Sequence, residues 1–323
     1  MTQATKPSIA TEILDYVFQY RRLIPGADAD CGGSAPCAEC RAPHLAKVEK
    51  FIQAGEPIHF VLPAFPAKSP NIQKVLGELP DLAERLALEF LQSFCDHLGH
   101  YYAPGARVTV CSDGHTFADV VGVSDEAATR YRDELERVVE TLGGDAIGFY
   151  SLQDAFDSTD YPAVRRVLLE KYAESLEDLR GRAAGDEGLK VMFNGMHRFM
   201  FEDQIAVRQD ASRNRVREDA KVLAWQVIRH SNAWSRLVAD EFPDALRLSI
   251  HPQHAHSEKI GLHLMRTGNP WLTPWHGVAL EVADGMLLTK RSHAEDLNAS
   301  LVWRNDRPSH FVAPHLTVQE VMA

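Results

Sequence analysis

Ile58-His59-Phe60-Val61-Leu62-Pro63-Ala64-Phe65-Pro66-Ala67-Lys68-Ser69-Pro70-Asn71 opens on an apolar run of strand length and passes into a loop framed by three prolines. Each proline locks its own φ and pushes its predecessor out of the helical region, so the chain beyond Leu62 is stiff and extended. One lysine, Lys68, sits in the middle of that loop. In an open α/β sheet ligands bind beyond the carboxyl ends of the strands, which is where Lys68 falls. A solvated lysine on a connector is the competing reading, and this stretch alone does not separate the two.

Downstream, Pro80-Asp81 starts a helix on which Leu82, Leu86, Phe90, Phe94 and Leu98 recur every four residues, predicting a buried stripe. Arg107–Cys111 reads as a second strand ending in Ser112-Asp113-Gly114-His115, which puts a carboxylate on a tight turn at the same sheet edge. Ser124 caps a helix over 125–141, and 146–150 makes a third strand. Strands alternating with helices predict a Rossmann-like α/β fold: a mostly parallel sheet with helices on both faces and right-handed crossovers. No GxGxxG follows the first strand, so nothing supports a dinucleotide role.

Upstream, apolar residues at helical spacing predict a helix over 9–23, ending before Pro25-Gly26. Then comes Cys31-x5-Cys37-x2-Cys40-x3-His44, read as a Gly-, Ala- and Pro-rich loop, with a helix over 44–54. Closely spaced thiolates and an imidazole suit a structural zinc site; free, partly buried thiols are the alternative. Residues 1–56 thus form an N-terminal helix and Cys-rich loop ahead of an α/β body over 57–323, continuous with it as one domain.

The body carries an additional helical region around 159–240, ending in one long helix from Ala211 to Asp240. Arg213, Arg217 and Lys221 line one face of that helix, a pattern typical of a solvated surface. Arg247–Gln253 and Lys259–Leu264 read as strands around a histidine-rich loop. His251-x2-His254-x-His256 fits no standard metal triad, but neutral imidazole is a natural acid or base near pH 7. Trp271–Gly277 is a bend, Val278–Val282 another strand, and the tail from residue 285 reads as a short hairpin and loops.

A formal charge of −11 argues against nucleic acid and anionic membranes as partners. No apolar run reaches bilayer-spanning length, and the N-terminus lacks a signal-peptide pattern. Five cysteines, an odd number in a large chain, suit a reducing cytoplasm. Composition alone leaves a cytoplasmic enzyme or binding protein, with oligomeric state open.

Five motifs together go further. LPAFPAKSPN, KVLGELPDLAE, CSDGHTFADVVGVSD, RLSIHPQ and WLTPWHG, spread over residues 10 to 282, resemble the isocyanide (isonitrile) synthases of the pyoverdine/dityrosine biosynthesis family. One departure stands out: His115 occupies the place after Ser-Asp-Gly where the family usually has arginine. The resemblance implies condensation of the α-amine of tyrosine or tryptophan, tyrosine being favoured, with ribulose 5-phosphate. The pentose C2 becomes the isocyanide carbon, and no cofactor is required for the chemistry.

Such chemistry needs fixed cations for a phosphate dianion and a carboxylate, and acid/base groups for imine formation and carbon–carbon cleavage. On that basis Lys68 is expected as the central cation, binding phosphate, acting as acid at the ketone, or forming an imine if burial lowers its pKa. Asp113 and His251 are the expected acid/base groups. Arg229, Arg247 and Lys259 are candidates for anion binding, Trp275 and His276 for the aromatic pocket, and Ser69, Asn71, Ser112 and His115 for further substrate contacts. Two other readings compete: a lysine-imine lyase or aldolase acting on a sugar phosphate, and a non-catalytic protein built around a zinc site.

Overall fold

The alternation of strands and helices is realised in a computed structural model that describes residues 8–24, 31, 36–208, 210–269 and 271–322. The chain begins α1 (Ile9–Phe18), α2 (Ala38–Ala54), β1 (Ile58–Pro63), α3 (Leu82–Leu98), β2 (Ala106–Cys111), α4 (Gly114–Val121), α5 (Asp125–Leu142) and β3 (Ile147–Tyr150). The helical region follows as α6 (Leu152–Phe156), α7 (Tyr161–Tyr172), α8 (Leu176–Ala183), α9 (Glu187–Val207) and α10 (Arg213–Glu241). Then come β4 (Leu246–Ser249), β5 (Lys259–Gly261), a 3₁₀ turn (Pro274–His276), β6 (Val278–Val282), β7 (Gly285–Thr289), α11 (Arg291–Asp296), β8 (Ser300–Arg304), β9 (Arg307–Ala313) and α12 (Val318–Met322).

The first sheet has the order β3-β2-β1-β4-β5, with every neighbouring pair parallel. The chain builds outward from β1 through β2 to β3, then returns through α6–α10 to lay β4 on the other side of β1. The strand order therefore reverses between β1 and β4, and a crevice opens at such a switch point beyond the strand ends. Successive side chains of β1 alternate between faces. Phe60 and Leu62 join the core formed with α1, α2, α3 and α5, whereas Val61 packs with Leu168, Trp234 and Leu237 from the later helices. Burial on both faces explains why Ile58, Phe60, Val61 and Leu62 are apolar; His59 between them is buried too, its Nε2 2.8 Å from Thr109 Oγ1 on β2.

Several boundaries differ from the sequence expectation. α1 stops at Phe18, and residues 21 and 23 instead bridge to Leu262 and Gln253, joining the N-terminal segment to the sheet edge. α2 begins at Ala38, six residues before the expected helix start at 44, so Cys40 lies on a helix rather than a loop. Gly114 starts a short helix where a turn was expected. On α3 the buried line is Ala87, Leu88, Leu91, Phe94, Cys95 and Leu98; Leu82, Leu86 and Phe90 are only partly covered. The tail is more than a hairpin: β6–β9 make a second sheet in the order β7-β6-β9-β8. Among the described residues no helix is long and apolar enough to cross a membrane.

Two proline-loop details fix the crevice. Phe65 takes φ 55°, a left-handed conformation unusual for a non-glycine residue. Gly114 lies so close to this loop that a Cβ there would fall 2.0 Å from the Pro66 carbonyl oxygen, so glycine is required by proximity.

Candidate active site at the strand-order reversal

Beyond the ends of β1, β2 and β4 lies a cavity of about 220 Å³. The proline loop, the Asp113-Gly114 turn, β4 with its following loop, and the inner faces of α9 and α10 enclose it. Lys68, Ser69, Asp113, Arg247, His251, Lys259, Trp275 and His276 all line it; Asn71, Ser112, His115 and Arg229 do not.

Its cationic side is built by strand register. Arg247 on β4 pairs directly with Lys259 on β5, so the two side chains emerge on the same face. Arg247 Nη2 donates to Ser235 O at 2.9 Å, and Lys259 Nζ donates to Ser235 Oγ at 2.9 Å, both on α10. Neither cation makes an ion pair with a carboxylate among the described residues. Burial, then the charge of Arg247, lowers Lys259 to about 8, with Glu258 opposing. Burial likewise lowers Arg247. An unneutralised cation pair in a cavity wall is arranged to receive an anion.

Asp113 also lines the cavity. Its Oδ1 is shielded from solvent and meets no hydrogen-bonding partner among the described residues. Burial raises its pKa to about 7, against a small opposing pull from a backbone N–H. A carboxyl poised there exchanges protons readily at neutral pH. His251 lies against Trp271 with ring centroids 5.7 Å apart. Burial, then Arg22 and Lys259, lowers it to about 4, so it is a neutral imidazole at pH 7. His276 is also neutral, its pKa lowered well below the usual value by burial and then by Lys74, Lys68 and His251. Its Nδ1 lies 2.8 Å from Thr273 Oγ1.

The remaining wall is apolar and soft: Phe117, Met192, Met196, Phe199, Trp271 and Trp275. Trp275 is fully buried against Phe65, ring centroids 5.1 Å apart. A Cβ on Gly195 would sit 3.2 Å from the Trp271 ring, so the glycine lets the indole lie flat on α9. Aromatic and thioether groups beside a few convergent polar ones are what a ligand with an aromatic part needs.

Lys68 is at the expected edge, but its charged end points into the protein. Nζ lies 2.9 Å from Asp81 Oδ2 and 2.8 Å from Glu84 Oε1, and donates to Pro274 O at 3.4 Å. Both acids belong to the capping box that starts α3: Asp81 Oδ1 accepts from Ala83 N and Glu84 Oε2 from Asp81 N. Tyr131 donates its hydroxyl to Glu84 Oε1 at 3.0 Å. Burial opposes the ammonium, yet Asp81 and Glu84 outweigh it and hold Lys68 above the ordinary lysine range. The lowered pKa required of an imine former is therefore not met. Burial pushes Glu84 above the usual carboxylate range, against the pull of Lys68.

Other expected contacts turn out to be supports. Ser69 Oγ donates to Asp203 Oδ2 at 3.2 Å and Asn71 Nδ2 to Asp203 Oδ1 at 3.4 Å, tying the proline loop to α9. Ser112 donates to the Phe65 carbonyl at 3.1 Å. His115 is stacked on Tyr161 with centroids 3.6 Å apart and its Nε2 lies 2.9 Å from Thr129 Oγ1, away from the cavity. Arg229 donates to the Glu174 carbonyl at 3.0 Å on the outer side of α10. His44 is buried beside Phe18 and hydrogen-bonds the backbone of Ser257; it is not grouped with Cys31, Cys37 and Cys40.

Sequence reasoning missed Asp81 and Glu84, whose capping-box spacing signals a helix start and nothing more. It also missed Ser235, Trp271, Asp203 and Lys74, the last buried 2.6 Å from Asp203 Oδ1 and over the Phe199 ring. Pairing of β4 with β5 was the signal that points to Ser235, and it needs the register, not the residues alone.

Comparison with known proteins adds chemistry to this geometry. The family described as pyoverdine/dityrosine biosynthesis protein matches residues 48–302. L-Tryptophan isonitrile synthase AmbI1 of Fischerella ambigua is 44% identical over 94% of this chain and 95% of its own length. An L-tyrosine isonitrile synthase of Pseudomonas aeruginosa is 42% identical over 97% of both chains. The crystal structure of PvcA from Pseudomonas aeruginosa superposes with a TM-score of 0.89 at 41% identity, covering 95% of this chain and all of that one (100%).

Proposed function

Since the chain belongs to the pyoverdine/dityrosine biosynthesis family of isonitrile synthases, we propose that it converts the α-amino group of an aromatic L-amino acid, tyrosine or tryptophan, into an isonitrile with ribulose 5-phosphate as the carbon donor. The observation that supports this reading is the lining of the cavity at the switch point, which holds both the Arg247–Lys259 cation pair and a set of aromatic and thioether side chains. The cation pair suits the sugar phosphate, and the wall of Met192, Phe199 and Trp271 suits an indole or phenol.

In this reading Asp113, with its pKa near 7, takes and returns protons during imine formation and the later carbon–carbon cleavages. Neutral His251 and His276 offer hydrogen bonds to sugar hydroxyls without adding charge. Lys68 holds the proline loop in place through Asp81 and Glu84 and does not attack the ketone. An aldolase built on Lys68 would need a neutral amine facing the cavity, and Asp81 and Glu84 keep Lys68 charged.

The test is product analysis of the purified protein with ribulose 5-phosphate and each amino acid in turn. An isonitrile with one or both amino acids is expected. Absence of isonitrile with both would overturn the reading.

A further inference from the structure

Away from the cavity, three cysteines and one histidine converge at the N-terminal edge of the sheet. Cys31 Sγ lies 3.2 Å from Cys37 Sγ and 3.1 Å from Cys40 Sγ, and Cys37 and Cys40 are 3.7 Å apart. His256, from the loop between β4 and β5, brings Nε2 to 3.4 Å from Cys37 Sγ, and all four ligand atoms lie within 4.8 Å of one another. A tetrahedral zinc with Zn–S bonds of about 2.3 Å and a Zn–N bond of about 2.0 Å has ligand–ligand edges of roughly 3.5–3.8 Å. A disulfide joins two sulfurs at about 2.05 Å and leaves no reason for a third sulfur and an imidazole at equal range.

The surroundings fit a metal as well. Three thiolates and one divalent cation leave a net negative charge, and Arg21 Nη1 lies 3.3 Å from Cys40 Sγ while its Nη2 donates to Cys31 O at 3.2 Å. Cys37 and Cys40 straddle the first turn of α2, where the helix dipole favours thiolate. His256 Nδ1 faces the exposed carboxylate of Glu39, whose Oε2 lies 3.8 Å away.

We propose that Cys31, Cys37, Cys40 and His256 form a structural zinc site that clasps α2 to the β4–β5 loop. Four protein ligands close the coordination sphere, so the metal takes no part in the chemistry of the cavity. His256 stands five residues after His251 and three before Lys259, so the clasp anchors the segment that carries both cavity residues. The ligand set differs from Cys31-Cys37-Cys40-His44: the fourth ligand comes from the far end of the chain.

The experiment measures metal content of the purified full chain by mass spectrometry, with release monitored by a colorimetric zinc indicator after thiol modification. About one zinc per chain is expected. His44→Gln should keep it, His256→Ala should weaken retention against a chelator at least tenfold, and His256→Cys should restore it as a four-cysteine site. Cobalt substitution should give the absorption of tetrahedral cobalt thiolate. Metal-free protein that takes up no zinc, whether with five titratable thiols or with a disulfide, would overturn the site. So would loss of zinc in His44→Gln with retention in His256→Ala. None of these readouts depends on catalytic activity, so failure of the clasp and failure of the proposed reaction are separable.

Discussion

Lys68 Nζ and Glu84 Oε1 lie 2.8 Å apart with both side chains essentially out of contact with solvent. The other oxygen of Glu84 closes the capping box of α3, so one carboxylate holds both a helix start and the loop that frames the cavity. A buried pair of this kind is costly to break from one side, because the partner left behind is an uncompensated charge.

Lys68→Met should therefore cost about 3–5 kcal/mol of unfolding free energy, as removal of one partner of a buried ion pair does. Asp81 and Glu84 would remain as two buried acids. Chemical denaturation measures this, and adding Glu84→Gln should recover part of the loss. A Lys68→Met protein as stable as the parent would contradict the geometry. Borohydride reduction with ribulose 5-phosphate should leave Lys68 unmodified.

Lys259→Met should raise KM for ribulose 5-phosphate about tenfold or more while kcat changes less, since a charge-assisted hydrogen bond contributes about 1.5–3 kcal/mol. Arg247→Lys should act in the same direction, because lysine cannot reproduce the forked donor. Steady-state kinetics with the amino acid saturating reads both. Unchanged KM in both variants would move the phosphate elsewhere.

If the proposed roles hold, Asp113 and Lys259 should set the pH profile. Asp113 acts as a base only when ionised, so activity should fall below its pKa of about 7. Lys259 binds an anion only when protonated, so kcat/KM should also fall above about 8. The profile should be a narrow bell. Asp113→Asn should remove the acid limb along with most of the turnover, and Lys259→Met should flatten the alkaline limb. His251, near 4, should contribute no limb between pH 6 and pH 9.

Trp271→Leu should raise KM for the amino acid by roughly tenfold and leave KM for the sugar phosphate nearly unchanged, as loss of an aromatic contact beyond area burial is worth about 0.5–1.5 kcal/mol. Gly195→Ala should act in the same direction, since its Cβ would press on the indole. Equal effects on both substrates would show that Trp271 does not divide the cavity in this way.

The parallel sheet and its reactive edge were legible because Ile58–Leu62 and Arg107–Cys111 carry both strand and loop signals within short windows. Those signals alone place Lys68 and Asp113 beside one crevice. What Lys68 does there was not legible: its partners lie 13 and 16 positions on and look like an ordinary helix cap. Arg229 does not line the cavity: the sequence of a long helix does not say which of its faces meets which neighbour, and α10 turns it to the Glu174 carbonyl. His44 failed through proximity in sequence: four positions from Cys40 on a helix, it points into the core, and His256 reaches the sulfurs from over 200 residues away. The second sheet was hidden because β8 (SLVWR) and β9 (RPSHFVA) mix charged and polar residues with the apolar ones, and β9 carries a proline near its start, so neither reads as a clean apolar run.

The register match between Arg247 and Lys259 should tie binding of the proposed sugar phosphate to proton uptake. Burial, then the charge of Arg247, lowers Lys259 to about 8, well below the unfolded lysine at about 10.5. Across that window the unfolded chain binds more protons, so this group makes the ligand-free fold gain stability as pH rises. A bound dianion reverses the balance by restoring the ammonium. Above pH 8, binding of the sugar phosphate should therefore draw a fraction of a proton from solution. Its calorimetric heat should then vary with the ionisation enthalpy of the buffer, and Lys259→Met should abolish that variation.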